Sequence, residues 1–140
     1  MEFFPVFMDL GGRDCLVVGG GTVAARKLGR LLRAGASVEV VAPQLCEKLV
    51  ALRDAGKIRH SARAFEAADV EDKALVIAAT SREAVNRSVS ELAKARNIPV
   101  NVVDQPKLCS FIMPSIIDRS PVQVAVSSGA TSPVLARLLR

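Results

Sequence analysis

The chain has 140 residues, of which 50% are hydrophobic and 24% charged, with a formal charge of +5. That composition fills the core of one ordinary domain and excludes a disordered chain. No apolar run approaches the ~20 residues of a membrane-spanning helix, and the opening MEFFPVFMDL lacks the basic and long apolar segments of a secretory signal.

Cys15-Leu16-Val17-Val18 is a continuous apolar run ending in Gly19-Gly20-Gly21. Such a run suits a strand buried on both faces of a parallel sheet. Ala24, Leu28, Leu31 and Leu32 then recur on one helical face, with Arg26, Arg30 and Arg33 on another and Gly35 as the stop. Val38 to Val41 reads as the second strand, closed by Ala42-Pro43. Leu45, Leu49 and Leu52 mark a second helix ending near Gly56.

Ile58 to Arg63 is a weak third strand, and Ala64 to Asp72 is acidic and irregular. Ala74 to Ala79 is the fourth strand. Thr80 and Glu83 fit a T-x-x-E capping box opening a helix with Val85, Val89, Leu92 and Ala93 inward. Pro99 to Val103 is the fifth strand. Alternating strands and helices predict an α/β, Rossmann-like fold with a mainly parallel sheet and flanking helices.

Beyond Val103 the pattern changes. Phe111 to Pro114, Ser115 to Ile117 and Val122 to Val126 are apolar stretches interrupted by prolines. Ser132-Pro133 is a helix start, and the apolar residues that follow need a surface to dock on. The expected organisation is a dinucleotide-binding domain over 1–113, then the start of a dimerisation and substrate-cleft region over 114–140, cut within a larger protein.

Gly19-Gly20-Gly21-Thr22-Val23-Ala24 fits G-x-G-x-x-A between a strand and a helix, the context that gives this pattern meaning. Gly19 makes the tight turn, Gly21 lets a pyrophosphate approach the backbone, and Ala24 permits close helix–sheet packing. The helix N-terminus supplies free amides and a positive dipole. No acidic ribose anchor stands at Ala42 or Pro43, and no arginine stands there to favour a 2′-phosphate. Backbone near Pro43, or the side chain of Gln44, takes that role, and the fingerprint does not separate NAD from NADP.

Asp104 ends the fifth strand, and ligands of open α/β sheets bind outside the carboxyl ends of the strands. It is equally a general base or hard-cation ligand, or a turn former before Gln105-Pro106. Ser127 to Ser132 reads as an anion-binding loop or a plain connector, where phosphorylation of Ser128 would repel an anion. His60, the single histidine, reads as a surface or hydrogen-bonded core residue. Cys15, Cys46 and Cys109 form neither a disulfide framework nor a zinc motif, which fits a reducing cytoplasm. Cys109 reads as a small buried hydrophobe.

The positive charge is dispersed, with no basic 5–8-mer, so it fits a solvated surface or a small polyanionic substrate better than nucleic acid. Five Phe with no Trp or Tyr leave few stacking platforms for a single strand.

VVGGGTVAARK, NVVDQPKLCSFIMPSIIDRSP and VAVSSGATSPVLARLLR resemble the N-terminal module of the siroheme synthase family, also found as a free-standing precorrin-2 dehydrogenase. The resemblance runs from Phe4 to Arg140, and Asn101 to Arg140 is its most specific part. It implies NAD-dependent oxidation of precorrin-2 to sirohydrochlorin, then insertion of Fe²⁺ to give siroheme. It implies a catalytic role for Asp104 in both steps, including transient contact with Fe²⁺. It implies NAD contacts at Thr22, Val23, Pro43 and Gln44. Ser128 matches a serine by the substrate cleft that is a candidate phosphorylation site. The segment after Met113 matches the part that exchanges contacts across a homodimer. Relatives continue past Arg140 into a helical region, and fused forms add a methyltransferase using S-adenosylmethionine. A polycarboxylate tetrapyrrole gives the +5 charge a use. The alternative reading is a non-catalytic NAD-binding sensor or regulatory module.

Overall fold

The structure, a computed structural model, describes residues 1–128. The helix start expected at Ser132-Pro133 lies outside the described residues, as does the end of the Ser127 to Ser132 loop. Residues Phe7–Ser110 form one compact unit, and Met1–Val6 with the chain from Phe111 form a second.

In the first unit β1 (Asp14–Val18), β2 (Ser37–Val41), β3 (Arg59–Ser61), β4 (Leu75–Ala78) and β5 (Val100–Val102) make one parallel sheet in the order β3-β2-β1-β4-β5. The expected parallel α/β architecture is therefore the one observed. Every residue of Cys15–Val18 and of β4 is buried, as strands covered on both faces require. Helices α1 (Thr22–Arg33), α2 (Glu47–Asp54) and α3 (Glu83–Ala95) fill the connections. The chain runs outward from β1 to β3 and returns past β1 to β4. The strand order thus reverses between β1 and β4, and that switch point opens the crevice such sheets use for ligands.

Right-handed crossovers in opposite directions place α1 and α3 on opposite faces. Val89 and Ala93 of α3 pack with Leu16, Val18, Val76, Ala78, Val100 and Val102. On the other helix Ala24, Leu28 and Leu31 are buried. α1 stops where expected, with Gly35 in the left-handed region at φ +81°.

The capping box at Thr80 and Glu83 does not form. α3 begins at Glu83 itself and has no side-chain cap. Asn86, one turn inside the helix, claims Thr80 instead. Its Oδ1 accepts from the Thr80 hydroxyl (2.6 Å) and backbone N–H (3.2 Å), and its Nδ2 donates to the Thr80 carbonyl (3.0 Å). This buried carboxamide fixes the chain at the carboxyl end of β4.

The free edge of β5 is covered by the segment after it. Ser110 exchanges two hydrogen bonds with Val100, the Val102 N–H donates to Cys109 Sγ (3.2 Å), and Ser90 Oγ donates to the Leu108 carbonyl (2.6 Å). Cys109 packs half-buried against the core, close to the small buried hydrophobe expected, and its thiol also donates to the Val102 carbonyl (3.3 Å). A 3₁₀ turn, Ala67–Val70, is tied to the end of β3 by Arg63, which grips the nearly buried Asp69 with two bonds of 2.6 and 2.9 Å.

In the second unit β6 (Ser115–Arg119) and β7 (Val122–Val126) form an antiparallel hairpin, with Arg119 opposite Val122 across the Ser120-Pro121 turn. Ile116, Val122 and Val124 on it are exposed.

Candidate functional site

The glycine loop leaves β1 at the switch point and is held from both sides. Gly19 is buried at φ +129°, and a Cβ there would overlap the Ala79 carbonyl, whose carbon would lie only 2.8 Å away. Gly20, which the motif treats as variable, is the tighter position. A Cβ on it would overlap the Gln44 carbonyl oxygen and lie 3.0 Å from Ala42 Cβ. The Gly19 N–H donates to the Val41 carbonyl (3.1 Å), and the Cys46 N–H to the Gly20 carbonyl (2.7 Å). Gly21, by contrast, is exposed, and a Cβ on it would meet nothing within 4 Å. The loop is therefore rigid at its base and open at its rim, as a backbone cradle for a pyrophosphate must be.

α1 begins in that opening. Gly21 is its N-cap without a side-chain hydrogen bond, and no acidic residue stands in the first turn. The amides there are left for an anion, with the helix dipole aligned to favour it. Thr22 and Val23 are exposed on the first turn, while Ala24 is fully buried and lets the helix lie close on the sheet. The charged residues of α1 are all cationic: Arg26, Lys27, Arg30 and Arg33.

Pro43 and Gln44 are exposed just after β2, on the far side of the Gly20 contact. His60 Nε2 donates to the Ala42 carbonyl (2.8 Å) and steadies this turn, so the histidine is a satisfied structural group. Glu39 lies within β2 and accepts from Ser61 Oγ (3.5 Å).

Asp104 lies just past β5, exposed, at φ +60°. The Gln105 N–H closes this turn on the Val102 carbonyl (3.2 Å). Aspartate tolerates the left-handed region, so the turn-forming reading holds. The same turn places Asp104 at the carboxyl edge of the sheet, the edge that also carries the glycine loop. The strands they follow, β1 and β5, lie two strand spacings apart, about 10 Å. Both readings of Asp104 are thus compatible.

Sequence reasoning passed over Lys27. It is half-buried on α1, and burial pushes its pKa down, with Arg30 and Arg26 adding to the effect. Asp104 and Cys109 act in the opposite sense, so Lys27 lies within electrostatic reach of the β5 turn. The signal available was its place beside the apolar stripe, three residues from Ala24 and four from Leu31. Ser128 follows β7 in the second unit and is half-buried.

Residues 6–115 match NAD_binding_7, a family described as NAD(P)-binding. The chain belongs to this NAD(P)-binding family. The siroheme synthase of Thioalkalivibrio sulfidiphilus is 64% identical over 140 residues, covering 100% of this chain and 29% of that protein. The siroheme synthase of Methylobacillus flagellatus is 60% identical over 140 residues, covering 100% of this chain and 30% of that protein. The chain thus spans under a third of the length of these relatives. The solved structure of SirC, precorrin-2 dehydrogenase, superposes with a TM-score of 0.83 at 28% identity, covering 98% of this chain and 67% of that one. An NAD(P)-binding fold similar to these enzymes is what the glycine loop had implied. No helix among the described residues is long and apolar enough to cross a membrane.

Proposed function

We propose that this chain is the dehydrogenase module of siroheme synthesis, oxidising precorrin-2 to sirohydrochlorin with NAD⁺. The observation that carries the reading is one sheet edge bearing both an open glycine cradle and a carboxylate, Asp104. Likeness to siroheme synthases and to a precorrin-2 dehydrogenase supplies the substrate class.

Precorrin-2 loses a hydride and a proton, giving sirohydrochlorin, NADH and H⁺. NAD⁺, when bound, supplies the hydride acceptor. Gly19 and Gly20 hold the loop, and the amides at Gly21, Thr22 and Val23 receive the pyrophosphate. Pro43 and Gln44 line the adenosine side. Asp104 accepts the proton released from the macrocycle. Fe²⁺ then enters as a substrate and displaces two pyrrole N–H protons, with Asp104 as acceptor and transient oxygen ligand. Ser128 belongs to the substrate cleft in this reading, and its phosphorylation would repel a polycarboxylate.

The exposed apolar residues of the β6–β7 hairpin support a homodimer formed through the segment after Met113. A stable monomer in sedimentation at high concentration would contradict that part. Three free cysteines suit a cytoplasmic enzyme.

The test is the full-length polypeptide mixed with precorrin-2 and NAD⁺, then with Fe²⁺. The expected result is NADH absorbance followed by the siroheme spectrum. NAD binding without turnover would favour the sensor reading instead.

A further inference from the structure

α1 carries four cations and no acid. Arg26 and Arg33 are exposed, but Lys27 is half-buried, three residues after the buried Ala24 and four before the buried Leu31 on the same helix. Helical side chains lean toward the helix N-terminus. Here that end is the glycine loop, at the carboxyl edge of the sheet where Asp104 also lies. Burial lowers the pKa of this group, and the nearby Asp104 and Cys109 only partly offset it. No hydrogen bond or ion pair closes on Lys27 Nζ among the described residues. Such a half-buried ammonium keeps part of its hydration, and an anion brought against it offsets the rest of its desolvation. Its Cα lies about 8 Å down the helix from Thr22, below the first-turn amides that take a pyrophosphate.

We propose that Lys27 is a substrate-binding residue, whose ammonium receives one carboxylate of the tetrapyrrole and seats the macrocycle against Asp104. The inference rests on the dehydrogenase reading above and adds to it a fixed anchor for the polyanion. Arg26 and Arg30 stand beside it on α1 and add positive field for the remaining carboxylates.

The experiment compares Lys27→Met and Lys27→Arg with wild type in the full-length protein. Methionine keeps the apolar stem, and thermal unfolding checks that both variants fold. Sirohydrochlorin binding is titrated by its absorbance, and NAD binding separately. In Lys27→Met the sirohydrochlorin Kd and the precorrin-2 KM rise about 10- to 100-fold, with the NAD Kd unchanged and kcat little altered. Lys27→Arg recovers most of that loss. An unchanged sirohydrochlorin Kd overturns the proposal, and so does a rise in the NAD Kd instead. An unaltered KM with a displaced acid limb in the kcat–pH profile also overturns it, making Lys27 a partner of Asp104. If wild type binds sirohydrochlorin but forms no NADH from precorrin-2, the dehydrogenase reading fails, while the Kd comparison still decides Lys27.

Discussion

Gly20 packs so closely on Gln44 that even a methyl group at position 20 would overlap the Gln44 carbonyl oxygen. The loop after β1 and the turn after β2 are therefore one rigid piece, joined further by the Cys46 N–H on the Gly20 carbonyl. In a dinucleotide site these segments face the pyrophosphate and the adenosine ribose. Their contact sets the spacing between the two subsites.

Gly20→Ala forces this contact apart. It is expected to cost about 1–3 kcal/mol in denaturant unfolding and to weaken NAD binding at least about tenfold by disturbing backbone shared with the pyrophosphate site. Gly21→Ala separates the two effects. Its Cβ meets nothing in the protein, so stability stays within about 1 kcal/mol while NAD affinity falls. Equal stability losses in both variants would contradict this division.

Asn86→Ala removes three hydrogen bonds to Thr80 from a nearly buried position. The Thr80 backbone groups lose their partners beside Gly19. Unfolding free energy should fall by about 2–3 kcal/mol. Hydrogen exchange at the end of β4 should rise more than at β2, which distinguishes a local anchor from a general packing loss.

Asp69 predicts the acid limb of stability. Hydrogen bonding from Arg63 holds its carboxyl below the usual range against the opposing effect of burial, and the Glu66 N–H (2.7 Å) adds to it. A depressed carboxylate pKa contributes stability that is present above the unfolded value of about 4 and is lost as pH falls through the folded one. Arg63 is partly exposed, so solvent screens the pair. Asp69→Asn should cost about 1–2 kcal/mol at neutral pH and flatten the decline below about pH 4. Parallel wild-type and variant curves on acidification would contradict it.

Gly29 lies within α1, and a Cβ there would meet nothing within 4 Å. Gly29→Ala should therefore stabilise the protein by about 0.5–1 kcal/mol in thermal unfolding, since alanine restricts the unfolded chain without strain. A lowered melting temperature would mean that this face is covered in the whole protein.

The strands and helices of the first unit were legible because their apolar runs and periodicities are local properties. The glycine turn was legible for the same reason: Gly19, Gly21 and Ala24 stand at fixed offsets in a strand–turn–helix. The role of Gly20 was not, because its partner Gln44 comes from another βα turn. Thr80 and Glu83 have capping-box spacing, yet Asn86 competes for the same hydroxyl, and spacing cannot rank the two partners. Lys27 stands one residue off the apolar stripe, and only the strand order brings the charge of Asp104 close enough for it to feel. The β6–β7 hairpin turns over Ser120-Pro121 and lacks the Asn-Gly or Asp-Gly pair that announces such turns.

The most direct test of the central claim is turnover by Asp104→Ala in the full-length protein, read as NADH formed from precorrin-2 and NAD⁺. Asp104 is exposed and outside the glycine cradle, so NAD should bind with its wild-type Kd. Loss of a positioned base should lower kcat by about 10²- to 10⁴-fold. A variant that binds NAD normally and oxidises precorrin-2 at the wild-type rate would contradict the role given to Asp104.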